Sequence, residues 1–193
     1  MNYLAHLHLA TLAESSLPGN LMADFVRGDP EPHWDSATAE GIRLHRRLDS
    51  LTDALPEVRA ARLLFREETR RVAPVTLDVI WDHFLARHWD HYSPATPLNV
   101  FCRQAELQIR PVLPEAPESF RKLNQLMWPE RWLEKYAEPE RLALVLNGMA
   151  KRRPKLEKLR HSYQDFVDNY SALEALFSVF YPRLMLLATE KQL

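Results

Sequence analysis

The sequence predicts an all-α fold, a single compact multi-helix domain. Three observations carry this. Apolar residues recur at intervals of three and four, as in Leu44, Leu48, Leu51 and Leu55. No stretch alternates apolar and polar residues with period two, and no hairpin dipeptide joins β-rich runs. Fourteen prolines against four glycines fall mostly between helical patterns, and proline suits a helix's first turn. The patterns add up to roughly eight to ten helices, as in a helical bundle. With 193 residues, 46% of them apolar, the chain has the size and the apolar content for one domain with a real core.

The elements follow in order. Residues 2–13 carry Leu4, Leu7, Leu9 and Leu12 and stop at the turn signal Ser15-Ser16-Leu17-Pro18-Gly19. Residues 20–27 read as a short helix and Gly28-Asp29-Pro30-Glu31-Pro32 as a loop. A long helix begins near Thr38. Pro56 restarts the pattern, 57–71 form the next helix, and Pro74 ends that region. Thr76 reads as the N-cap of a helix through about His91, with Asp78 in its first turn. Thr96-Pro97 opens a helix holding Phe101, Ala105 and Ile109, which Pro111 and Pro114 close. Pro117, Pro129 and Pro139 each precede a helical pattern. Asn147-Gly148 is a point where a helix can break or run through. Residues 155–190 are helical, with Pro182 as a kink or junction.

Composition excludes several classes of function. The net charge of −1 provides no whole-protein field for nucleic acid, although local basic patches remain. The single Cys102 rules out an internal disulfide framework and fits a reducing compartment. The N-terminus lacks the basic region and apolar run of a signal peptide. No stretch reaches the ~20 uninterrupted apolar residues of a membrane span. The expectation is a cytoplasmic protein that binds neither membrane nor nucleic acid. No glycine-rich phosphate loop is present, and neither a GxSxG elbow nor a histidine near Cys102 supplies a nucleophile.

Three segments instead hold metal-type ligands at helical spacing. They are Gly19-Asn20-Leu21-Met22-Ala23-Asp24, His45-Arg46-Arg47-Leu48-Asp49, and Asp78 followed by Asp82-His83. His45 and Asp49 are four apart and share a helix face, with Asp53 one turn on. The row borders the apolar stripe 44/48/51/55, at the edge of the interior. There an unpaired carboxylate is costly, and a cation offsets the cost. Asp82 and His83 are adjacent, so their side chains diverge by about 100°. Either both straddle a site, or one ligates and the other orients it. His6 and His8 face roughly opposite ways on a helix, so at most one reaches the site. Any single pair of this kind is commonly a cap or a surface pair. Several in one all-α chain point to a site for one or two divalent cations, and so to phosphate-ester hydrolysis.

These residues carry a resemblance. Asn2-Tyr3-Leu4-Ala5-His6, Gly19 to Gly28, His45 to Asp53, Trp81-Asp82-His83-Phe84-Leu85 and Leu146 to Pro154 resemble the bacterial acyl carrier protein phosphodiesterase family, in order and over essentially the full length. The resemblance implies hydrolysis of the phosphodiester joining 4′-phosphopantetheine to a serine of holo-acyl carrier protein. It also implies distant kinship with the all-helical HD-type metal phosphohydrolases, with manganese as the usual metal and Mg²⁺, Fe²⁺ or Co²⁺ as alternatives. The adjacent pair Asp82-His83 reverses the order of the HD motif, so no ligand is carried over from that wider group.

On this reading Asp24, His45, Asp49 and Asp82 are the expected metal ligands, with His83 and His6 as further candidates in or beside the first shell. His83 is the expected acid for the leaving serine, and Asp82 its companion. Arg27 or Arg46 is expected to steady a phosphate oxygen. An acidic carrier protein needs a basic surface. Two segments qualify: Arg43 to Arg47, and Lys151-Arg152-Arg153-Pro154-Lys155 with Lys158 and Arg160 beyond. Two other readings stand beside this one. One is a phosphohydrolase for a nucleotide or other small phosphate ester, which needs no basic surface. The other is a non-catalytic helical binding module with structural histidines.

Overall fold

A computed structural model describes residues 1–193, and every regular element in it is helical. Thirteen α-helices run in order: α1 Tyr3–Leu12, α2 Leu17–Met22, α3 Ser36–Ala54, α4 Pro56–Leu63, α5 Glu67–Arg70, α6 Ala73–Arg87, α7 Trp89–Tyr92, α8 Leu98–Ile109, α9 Glu118–Met127, α10 Trp132–Lys135, α11 Pro139–Arg152, α12 Leu159–Asp168 and α13 Tyr170–Thr189. Three 3₁₀ turns, Ala23–Phe25, Arg110–Glu115 and Pro154–Leu156, link them.

The all-α expectation holds, but the pattern count fell short. The difference lies mainly in the four-residue helices α5, α7 and α10, which are too short to show a period. Three local readings are corrected. Pro18 and Gly19 sit inside α2, whose N-cap is Ser16. Thr76 lies within α6, and its hydroxyl donates to the carbonyl of Val72, 3.1 Å away, instead of capping. Pro74 opens α6 and does not end the region before it. Helix α11 runs through Asn147-Gly148 unbroken.

Helix α1 lies at the centre and packs on α2, α3, α6 and α13. All seven residues from Leu4 to Ala10 are buried, and a helix covered on every side is apolar all round and not striped. Beside it, Trp81 and Phe84 of α6 meet Phe177 and Phe180 of α13 in the aromatic part of one continuous core. Helix α13 has the length and composition of a membrane span. Here it packs on α1, α4, α6 and α12 and buries Leu173, Phe177, Phe180, Tyr181, Leu184 and Ala188.

Helices α2 and α3 approach at two glycines. A Cβ on Gly19 would lie 2.3 Å from the Thr38 carbonyl oxygen, and one on Gly41 2.8 Å from that of Ser16. Both opposing atoms are backbone, so they cannot rotate away. This contact brings the end of α2 down beside the middle of α3. Gly19→Ala is expected to wedge the pair apart and cost about 1–3 kcal/mol, the usual range for overpacking a tight contact. Urea unfolding reads the loss, and an unchanged midpoint would show that the close approach constrains nothing.

Candidate functional site

Three helical segments meet at one rim of α1. His6 projects from its first turns, His45 and Asp49 stand one turn apart on α3, and Asp24 sits in the 3₁₀ turn after α2. The ligand atoms of His6, His45 and Asp49 all lie within 4.8 Å of one another. His6 Nε2 is 3.0 Å from Asp49 Oδ1, and His45 Nε2 is 3.2 Å from Asp49 Oδ2 and 3.3 Å from Asp24 Oδ1. The two imidazoles stack with centroids 3.6 Å apart. Exposure rises across the group, from 1% for His6 and 5% for His45 to 38% for Asp49 and 64% for Asp24. The cluster is therefore closed at the histidines and open at Asp24.

The site's own polar balance fits a cation. His6 Nδ1 and His45 Nδ1 are buried without a hydrogen-bond partner. Orphaned groups of that kind are rare in a folded interior. Ligands at about 2.0–2.2 Å from one ion stand roughly 3–4 Å apart, the spacing found here. Burial works to lower the His45 pKa, but the Asp24 and Asp49 carboxylates outweigh it and raise it to about 9. Burial likewise works to raise Asp49, and His45, His6 and the Met1 ammonium hold it well below the carboxylate range. Asp24 is lowered too, chiefly by its hydrogen bond to His45. Burial and the neighbouring His45 together lower His6 to about 4. The carboxylates thus hold one positive charge between them, and a divalent cation would answer the same field.

Asp82 and His83 are not brought to this cluster. The Asp82 carboxylate, fully buried on α6, accepts from the N–H of Leu4 at 2.8 Å and of Ala5 at 3.0 Å. It caps α1 from another helix. Asn2 occupies the N-cap position but makes no capping bond, its amide donating instead to the Tyr136 hydroxyl. Burial raises Asp82 to about 7 against the pull of those two donors. His83 diverges from Asp82, as adjacent helical residues must. It lies among Phe84, Phe166 and Tyr170, with Nδ1 2.7 Å from the Tyr136 carbonyl and Nε2 3.0 Å from the Tyr170 hydroxyl. That position sets it apart from the His6, His45 and Asp49 group.

The other candidates divide clearly. Of the two early histidines, only His6 reaches the site, while His8 Nδ1 meets the Tyr181 hydroxyl at 2.8 Å. Asp78 binds the Met1 ammonium at 2.9 Å, and Asp49 shares that ammonium at 3.1 Å. Asp53 pairs with Arg62. Arg46 donates to the carbonyls of Val26 and Gly28, both at 2.7 Å. Gly28 has φ +71°, a turn that glycine makes without strain. Arg46 therefore holds the loop that carries Arg27, and Arg27 itself is exposed and unpaired. Arg43 is engaged by Asp29 and Glu31, and Arg47 by Glu40. Lys151, Arg152, Arg153 and Lys155 are exposed and make no ion pair.

The family model for acyl carrier protein phosphodiesterase matches residues 1–184. The chain belongs to the acyl carrier protein phosphodiesterase family, a family of enzymes. Relatives bearing that name are similar over the whole of both chains: 58% identical in Klebsiella pneumoniae, 57% in Enterobacter and 56% in Salmonella newport. No solved structure matches.

Sequence reasoning missed the capping role of Asp82. Helix α1, buried from Leu4 to Ala10 and without a capping bond from Asn2, has N–H groups that need an acceptor from elsewhere, a need that its burial reveals and its sequence does not. Asp82→Ala strands two buried donors at about 1–3 kcal/mol each, so a loss of about 2–6 kcal/mol in unfolding free energy is expected. Asp24→Ala, at an exposed position, is expected to stay within about 0.5 kcal/mol of the parent. Equal stability of the two variants in guanidinium unfolding would contradict the assignment.

Proposed function

We propose that the chain hydrolyses the phosphodiester joining 4′-phosphopantetheine to a serine of holo-acyl carrier protein, at a divalent-cation centre held by His6, His45, Asp49 and Asp24. The observation that carries this reading is the pair of buried histidines with orphaned ring nitrogens, His6 and His45, grouped with Asp49 and with Asp24 beside His45, in a chain of this family. Imidazole and carboxylate donors suit manganese and its neighbours. When bound, such a cation supplies a Lewis acid for the phosphate and activates water at neutral pH.

The protein's own groups do the rest. His6 and His45 are fixed by burial, so the donor geometry is set before substrate arrives. Asp24 faces solvent and forms the side from which a phosphodiester enters. Arg27, on the loop that Arg46 braces, is free to bind a phosphate oxygen. The unpaired segment Lys151 to Lys155 offers the acidic carrier a basic landing surface, whereas the Arg43 to Arg47 stretch is already neutralised by Asp29, Glu31 and Glu40.

Incubation with holo-carrier protein, followed by intact-mass measurement, tests the reading. Loss of the phosphopantetheine mass is expected with manganese, is abolished by chelation, and returns with manganese better than with calcium. Asp24→Ala and Asp49→Ala should each lower kcat/KM by at least about a hundredfold with far-ultraviolet circular dichroism unchanged, the scale of losing a metal ligand or its support. Full turnover in metal-free protein, or in both variants, would overturn the proposal.

A further inference from the structure

A groove of about 580 Å³ opens between α9 and α11 and reaches the first turn of α1. It is the size of a pocket for an elongated small molecule. Each wall is one helical stripe. On α9 it is formed around Leu123 and Leu126, and on α11 around Leu144, Val145, Gly148 and Met149, which are spaced three and four apart. Tyr3 and Phe25 also line the groove. Phe25 follows Asp24 directly, and Tyr3 precedes His6 by one turn, so the groove ends beside the cluster. Tyr3 also feels charge from both sides: burial raises its pKa to about 12, Asp24 adds to the rise, and Arg153 and Arg152 oppose it.

Two features point to a ligand. Gly148 lies inside α11, where glycine costs helix stability. A Cβ there would meet only the tip of Arg152, at 3.4 Å. Nothing in the protein needs the missing side chain, so the space belongs to the groove. The cations are the second feature. Lys122, Arg141, Arg152 and Arg153 line it against the single carboxylate of Glu130, and the three arginines make no ion pair. Apolar walls, a cationic border and one end beside the cluster fit a neutral, elongated chain with an anion at one terminus.

We propose that this groove seats the pantetheine arm of the substrate, with an acyl chain on the arm's thiol lying against Leu123, Leu126, Leu144 and Val145. This rests on the proposed activity for the identity of the arm. The phosphate end lies at Tyr3 and Phe25. The thiol end points out past Leu126 and Leu144, which are 49% and 62% exposed and gain cover only from a ligand.

Calorimetric titration with pantetheine and with S-octanoyl-pantetheine, neither carrying phosphate or carrier protein, reads the groove without the reaction. Both are expected to bind the parent protein, the octanoyl compound at least about tenfold more tightly because it buries more apolar surface. Gly148→Leu fills the groove and should weaken both by at least about tenfold. Leu126→Glu, at a half-exposed position with no packing to lose, should remove most of the octanoyl gain and leave pantetheine binding close to that of the parent. Binding of neither compound to the parent, or equal binding by all three proteins, would overturn the groove assignment. Parallel mass measurement on holo-carrier protein separates the two ideas. Hydrolysis without pantetheine binding sinks the groove alone. Pantetheine binding with the stated variant losses, but no hydrolysis, sinks the activity alone.

Discussion

The carboxylate of Asp82 on the first turn of α1 is the contact on which the site depends. Helix α1 runs through the core with every residue from Leu4 to Ala10 buried. Its first N–H groups therefore have no water to turn to. Asp82 reaches across from α6 and takes two of them, at Leu4 and Ala5. The next residue is His6. A cap in trans thus fixes the height of α1 against α6 and, with it, the position of one imidazole of the cluster. The α2–α3 contact at Gly19 and Gly41 does the same for the other half, delivering Asp24 to His45.

Electrostatics then follows from placement. Two stacked imidazoles at the buried end, and two carboxylates towards solvent, cannot all be neutral or all be charged. The carboxylates take the negative charge and require a positive one near them. In the free protein His45 and the Met1 ammonium supply it, the latter raised to about 11 because Asp78 and Asp49 outweigh the effect of its burial. The cluster is most open at Asp24. The groove beside Tyr3 and Phe25 continues from that side towards the unpaired basic segment.

Much of this was legible in the sequence, because helical periodicity and spacing are local. Leu44, Leu48 and Leu51 of the stripe and the His45–Asp49 row sit on α3 as their spacing requires, while Leu55 falls just past its end in extended backbone. The two-residue separation of His6 and His8 lets only one of them face the cluster, and His6 is the one placed there. What periodicity cannot give is the partner across space. Asp82 looks the same in sequence whether it ligates a metal or caps a helix 78 positions away. Only the burial of α1 decides between them. His83 was misread for a related reason, since its ring follows the aromatic face of α6, which sequence does not mark as such. Charge runs mislead in the same way: Arg43 and Arg47 are basic in sequence and neutralised in space by Asp29, Glu31 and Glu40.

The central claim is that His6, His45, Asp49 and Asp24, and not Asp82 and His83, surround the cation. Anomalous diffraction at the manganese edge, from crystals grown with manganese, tests it most directly. The account predicts a peak within about 2.5 Å of a ring nitrogen of both His6 and His45, with carboxylate oxygens of Asp49 and Asp24 completing the protein's share of the shell. A peak beside Asp82 and His83, or no peak in crystals of protein that remains active, would contradict it.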